Sequence, residues 1–283
     1  MERKKRMKSF EPVTCNPAAK HNSFSCYTTQ QLTKLRDEWN QRHPDNSIEA
    51  NSGKAIWESL RDKTSDVCNR ESCWIRQKFA EKLSSSNLLQ YAFAPKSPVS
   101  WEKNPNEWLT STDITRVMRR YEDSFDSFEF IGPAPIDFDT VIDGQCVWNE
   151  LCGFSIADCR RRNKRSIGIV FNTDPHYKSG SHWIALYIDI PKRTIYFFDS
   201  NGNPCPKQIR VFIDKIVRDD GFSFGENSPR RHQLTNTECG MYCLYFISTI
   251  LVGQHSTEYF GRKRIPDRLV EAHRKKFFRD TDL

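Results

Sequence analysis

Four residues stand in an order that suits acyl transfer: His182, Asp199, Gln233 and Cys239. Cys239 closes the polar segment RHQLTNTE and opens an apolar run, MYCLYF, after Gly240. A thiol in the first turn of a helix feels about half a positive charge from the aligned peptide dipoles, which favours the thiolate. Gly240 presents no side chain, which would let a substrate backbone come close. Gln233 carries a neutral amide donor that, with the backbone N–H of Cys239, could hold a developing oxyanion. Glu238 acts against a thiolate if its carboxylate turns inward.

His182 and Asp199 fall in two β-branched and aromatic segments, HWIALYIDI and TIYFFDS, separated by the Pro191-Lys192-Arg193 break. They read as an antiparallel hairpin. Side chains alternate along a strand, so Asp199 and Asn201 share a face, and either can reach the His182 ring directly or diagonally. A carboxylate or amide on one imidazole nitrogen fixes the tautomer and leaves the other nitrogen as a base.

These residues need a scaffold, and the sequence supplies its parts. SIGIVFNT reads as a further strand, PKQIRVFIDKIVRDD as an amphipathic helix, and ECGMYCLYFISTILVG as a helix apolar nearly all round, hence buried. STDITRVMRRYE has a Ser/Thr cap and helical spacing. Upstream, TTQQLTKLRDEWNQRHP, GKAIWESLRDK and CWIRQKFAEKL give three short amphipathic helices. SSSNLLQYAFAPKSPVSW is the best linker candidate. The expected domains are a loose basic tail over 1–24, a helical arm over 25–90, a catalytic domain over 96–265 and a C-terminal helix or tail over 266–283.

Composition narrows the classes. The 283 residues are 37% hydrophobic and 28% charged, which suits a globular chain and excludes a fibrous or disordered one. The longest apolar run, Met241 to Ile247, is far too short for a membrane span, and the basic start MERKKRMKSF is not followed by an apolar signal core. Ten cysteines at scattered positions show no zinc-finger spacing. Reduced thiols are therefore expected, with Cys243 in the core and Cys205 in a loop. The net charge of +7 lies almost wholly in the first hundred residues, which hold 17 Lys/Arg against 11 Asp/Glu. That bias, with the clusters RRRNKR and RKR, allows contact with nucleic acid, although a solvated face accounts for it as well. The RKKR near the start resembles a nuclear localisation patch. His176 and His232 read as surface or loop residues.

The ordered set SHWIALYID, IYFFDS and HQLTNTECGMYC resembles the SUMO-protease and adenovirus-protease superfamily of cysteine peptidases. NEWLTSTDI is similar to the opening of the SUMO-protease domain. GIVFNTDPHYKSGSHW and SCYTTQQLTKLRDEWNQRHP bring the resemblance nearest to the polyprotein-processing proteases of large DNA viruses, of the African swine fever virus type. The resemblance implies an α+β fold of the papain-like superfamily, a mixed sheet flanked by helices with a buried nucleophile helix, preceded by a helical module. It implies Cys239 as nucleophile, His182 as base, Asp199 as orienting acid and Gln233 as oxyanion donor, with Trp183 and Gly240 on the substrate side. Asn201 stays open as the third residue, since some viral members use Asn.

The implied reaction needs no metal or organic cofactor. The implied substrate is a protein, either a viral structural polyprotein cleaved after Gly-Gly or a ubiquitin-like precursor, met in host cytoplasm and virion; the alternative within the superfamily is a deSUMOylating or deubiquitinating isopeptidase. Two other readings compete. Cys146, His182 and Asn201 follow papain order, and a degenerate protease fold could serve as a nucleic-acid-binding module.

Overall fold

The computed structural model describes residues 10–84 and 88–280, so the RKKR patch and the first part of the expected tail lie outside the described residues. The chain divides into two compact units, one ending at Pro98 and including Lys275 onwards, the other spanning Val99–Arg274.

In the first unit, α1 (Thr29–Arg42) starts on a capping box between Thr28 and Gln31, and it buries Leu32, Leu35 and Trp39. Ser52 caps α2 (Gly53–Lys63), which buries Ile56 and Leu60. The third expected helix is not continuous. CWIRQKFAEKL forms 3-10 turns at Glu71–Arg76 and Lys78–Ala80 and then the short α3 (Glu81–Ser84), because Gln77 is extended at ψ 152°. Within the linker candidate, Leu88–Ala92 forms α4.

Residues 10–24 are not loose. Asn16 is buried and its N–H donates to Ala92, Thr14 accepts from Ala94, and the Phe10 ring packs edge-on against Trp57.

The expectation of reduced thiols is corrected by three disulfides, Cys15–Cys26, Cys68–Cys73 and Cys146–Cys152. Each closes a short loop of 5 to 11 positions with Cα atoms 4.9 to 6.5 Å apart, within the reach of the bond. Such local approaches depend on loop geometry, which cysteine spacing does not reveal. Cys159, Cys205, Cys239 and Cys243 remain free thiols.

The second unit is α+β. Thr110 caps α5 (Ser111–Ser124), followed by β1 (Phe128–Pro135), a small ribbon of β2 (Val141–Ile142) and β3 (Gln145–Cys146), and short helices α6 (Asn149–Cys152) and α7 (Ile156–Arg161). Then come β4 (Ser166–Asn172), β5 (Trp183–Asp189), β6 (Thr194–Phe198), α8 (Lys207–Asp220) and β7 (Ser223–Glu226). The unit continues with α9 (Cys239–Leu251), α10 (Thr257–Arg262) and α11 (Asp267–Ala272).

Five strands form a mixed sheet in the order β1-β4-β5-β6-β7, antiparallel through β4, β5 and β6 and parallel at both edges. β4 and β5 are apolar on both faces because helices cover both. Ile184, Leu186 and Ile188 share one core with Ile209, Ile213 and Ile216 of α8. On the opposite face α9 lies against β5, and Phe246 stacks on Phe198 at 4.7 Å. Gly168 of β4 is needed there, since a Cβ would come within 2.9 Å of Ile247. The start of α9 thus falls at the open end of the β5–β6 hairpin, away from its turn.

Candidate active site

The hairpin register pairs Ala185 with Phe198 and runs back to Asp189 opposite Thr194, with Arg193 taking positive φ at the turn. His182 therefore stands just before β5, and Asp199 just after β6, at the same end of the sheet. His182 Nε2 donates to Asp199 Oδ1 at 2.7 Å, and the His182 side chain is only 16% exposed. The Asn201 amide nitrogen lies 3.4 Å from the same ring nitrogen, a longer approach. Asn201 also donates its backbone N–H to Asp199 Oδ1 at 2.8 Å, and Asn203 Nδ2 donates to Oδ2 at 2.9 Å.

Asp199 is itself gripped by Asn227, a buried residue directly after β7. Asn227 Oδ1 accepts the Asp199 N–H at 2.9 Å, and Asn227 Nδ2 donates to the Asp199 carbonyl at 2.8 Å. Sequence reasoning passed over Asn227; one asparagine after an unrecognised four-residue strand carried no signal of its own.

With Nε2 committed to Asp199, the Nδ1 side of the ring is left open, and Cys239 is near enough to act on the imidazole's titration. Burial pulls the imidazole's pKa down. The hydrogen bonds to Asp199 and Cys239, and the charges of both groups, outweigh it and hold His182 up at about 9. Cys239 is the first residue of α9 and is buried. Its N–H belongs to the first turn and has no intrahelical carbonyl to meet, which leaves it available as a donor. Gln233 is buried, with its Oε1 accepting from the Ser200 hydroxyl at 2.8 Å.

Glu238 does not oppose the thiol with a free charge. Its carboxylate is fully buried and paired with Arg274, whose Nε and Nη2 both donate at 2.9 Å. Arg274 also donates to the Glu107 carbonyl and lies 4.4 Å over the Trp101 ring. A neutralised carboxylate at this place is an ion-paired support for the start of α9.

Two expectations are corrected. Gly240 faces protein rather than substrate, because a Cβ there would meet Leu109 at 3.0 Å and Trp183 at 3.1 Å. Trp183 fixes that layer by donating from Nε1 to the Leu109 carbonyl, and it lines a cleft of about 310 Å³ with Ser111, Trp148, Asn172 and His176. His232 is fully buried among Phe198, Tyr242 and Phe260, and its Nδ1 accepts the Ile265 N–H. Burial, with the nearby Arg230 and Arg264 charges, lowers its pKa to about 4. His176 is the more open histidine, held by Asp137 through its ring and its backbone N–H.

Cys146 cannot be the thiol of a papain-order site, since it is bonded to Cys152. One group among the described residues, Cys15, Cys26 and Glu71, has atoms close enough to share a metal ion. Its sulfurs are bonded to each other, and its carboxylate accepts from Ser25, Trp57 and the Cys26 N–H. That donor set is spent and does not suit a metal.

A mixed sheet with a buried helix, and a thiol at that helix's start beside an imidazole, defines a cysteine peptidase fold of the Ulp1 kind. Residues 162–283 match the family described as Ulp1 protease family, C-terminal catalytic domain, and the chain is a cysteine-type peptidase. It is 29% identical over 213 residues to a thiol protease of Acanthamoeba polyphaga mimivirus, covering 71% of this chain and 67% of the relative. It is 24% identical over 246 residues to a cysteine protease of African swine fever virus, covering 80% of this chain and 88% of the relative. The crystal structure of an African swine fever virus protease matches 98% of both chains with a TM-score of 0.64 and 19% identity, a likeness of fold. Among the described residues no helix is long and apolar enough to cross a membrane.

Proposed function

We propose that the protein is an endopeptidase that cleaves viral structural polyprotein precursors after Gly-Gly, with Cys239, His182 and Asp199 as its catalytic triad. The observation that carries the chemistry is the chain of contacts from Asp199 to His182 to Cys239 at the start of α9. His182 takes the Cys239 proton, and the thiolate attacks the peptide carbonyl carbon. Negative charge moves to the carbonyl oxygen, where the Gln233 Nε2–H and the Cys239 N–H receive it. The tetrahedral adduct collapses as imidazolium gives its proton to the leaving amine. Water, with His182 as base, then cleaves the thioester and frees the new carboxylate. Asp199, at 2.7 Å, orients the imidazole, and Asn201 at 3.4 Å plays the lesser part.

The substrate class rests on the likeness to proteases of large DNA viruses, and host cytoplasm and virion are the compartments proposed with it. One African swine fever virus relative is named a SUMO-1 cysteine protease, so a ubiquitin-like precursor is the second substrate to try. The test is side-by-side incubation with Gly-Gly-containing viral precursors and SUMO precursors, with new termini read by mass spectrometry and Cys239→Ala as control. Termini after Gly-Gly in the viral precursors support the reading. Cleavage of SUMO precursors alone overturns it.

A further inference from the structure

Asp199 and Ser200 are consecutive, yet they serve opposite sides of the site. Asp199 turns to His182, whereas Ser200, only 1% exposed, turns to Gln233. The Ser200 hydroxyl donates to Gln233 Oε1 at 2.8 Å, and the Ser200 carbonyl accepts the N–H groups of His232 at 2.8 Å and Gln233 at 2.9 Å. Residue 200 therefore holds Gln233 by both its main chain and its side chain.

The orientation of that amide matters more than its position. A carboxamide donates from Nε2 and accepts at Oε1. Rotated by half a turn, Gln233 would aim its carbonyl at a developing oxyanion and repel it. A hydroxyl can accept as well as donate, so the contact alone leaves both orientations open. The proton of Ser200 removes the ambiguity. In the rotated form Nε2 would donate to Ser200 Oγ, and the Ser200 proton would find no other acceptor among the described residues. An unmet donor in a buried place carries its full desolvation cost. The orientation with Oε1 toward Ser200 satisfies both groups and leaves Nε2 free.

We propose that Ser200 is a positioning residue that fixes the productive orientation of the Gln233 amide, so that one dipeptide, Asp199-Ser200, sets both the base and the oxyanion donor. This rests on the triad and oxyanion assignments above. Neither serine chemistry nor contact of Ser200 with substrate is involved.

The test compares Ser200→Ala, Gln233→Ala and the double variant, measuring kcat and KM on a Gly-Gly peptide and the rate of inactivation by iodoacetamide. Alkylation at carbon develops no oxyanion, so it reports Cys239 and His182 alone. Loss of one oxyanion donor lowers kcat by about 10²- to 10³-fold, and a misoriented donor by somewhat less, about 10- to 100-fold. Ser200→Ala is therefore expected to lower kcat on that scale with KM and alkylation rate unchanged. The double variant is expected to be no worse than Gln233→Ala, because both act on one interaction. Ser200→Thr, which keeps the hydroxyl, restores most of kcat, and Ser200→Gly replaces the alanine variant should that one not fold. Full kcat in Ser200→Ala while Gln233→Ala is impaired overturns the role of Ser200 alone. Multiplying losses in the double variant also overturn it. An unimpaired Gln233→Ala overturns the oxyanion assignment together with the proposal.

Discussion

Each unit of this protein buries a carboxylate, and the two are used differently. Glu71 in the first unit is 5% exposed and accepts from the Ser25 hydroxyl, the Cys26 N–H and the Trp57 indole, all neutral donors. Burial raises its pKa, with those hydrogen bonds opposing. Asp199 in the second unit is 3% exposed and is equally well satisfied, but one of its donors is an imidazole that also reaches a thiol. Burial and hydrogen bonding alone thus do not mark a catalytic carboxylate; the titratable partner beyond it does. Glu71 ties loops of a small stapled unit together, whereas Asp199, in the proposed triad, orients a base.

Removing the reacting groups gives the largest separation between the two. Cys239→Ala and His182→Ala are each expected to lower kcat/KM by about 10⁴-fold or more, read on any cleaved substrate, with the melting temperature of Cys239→Ala little changed. Asp199→Asn, which keeps shape but loses charge, is expected to cost roughly 10²- to 10⁴-fold. Asn201→Ala should cost under about tenfold, given its longer contact. The reverse order for Asp199 and Asn201 would reassign the third residue.

The next effect lies in titration. Because His182 is raised to about 9, its imidazolium persists through neutral pH. The stabilisation from that shift is complete below the ordinary histidine value near 6.5 and is lost as pH rises through about 9. Iodoacetamide inactivation measured against pH should show the imidazolium limb near 9, and NMR of the ring should move toward the ordinary value in Asp199→Asn. An unshifted imidazole in the native enzyme would remove the electrostatic part of the account.

Stability variants come below these. Arg274→Met leaves Glu238 buried without its cation, at about 3–5 kcal/mol in denaturant melts. The paired replacement Glu238→Leu with Arg274→Met should recover much of that loss. Smallest is Glu71→Gln, which puts an amide donor among donors, at about 1–3 kcal/mol of stability with kcat per folded molecule unchanged. A fall in kcat at full folding would erase the contrast between the two carboxylates.

The candidate site was legible as a set of residues because its proposed chemistry is tied to residue type and order: His182 before Trp183, Asp199 before Ser200, Gln233 before Cys239. Strands β4, β5 and β6 were visible too, since their apolar runs are long. Strand β1, FEFIGPAP, was not, because Gly132, Pro133 and Pro135 interrupt the pattern at the sheet edge. The disulfides were hidden because pairing depends on loop paths. Gly240 misled because a missing side chain can admit a substrate or a neighbouring residue, and here Leu109 and Trp183 fill the space. His232 misled because a polar neighbourhood in sequence became an aromatic one in space.

The most direct test is alkylation by limiting iodoacetamide, with the modified thiol mapped by peptide mass spectrometry and residual cleavage measured in the same sample. Four free thiols compete, Cys159, Cys205, Cys239 and Cys243. Burial raises the first, second and fourth, Cys159 to about 11 and Cys205 to about 12, so they stay protonated and slow. The account predicts that label appears on Cys239 in proportion to lost activity. Full cleavage with Cys239 labelled, or loss of activity that tracks another cysteine, would contradict it.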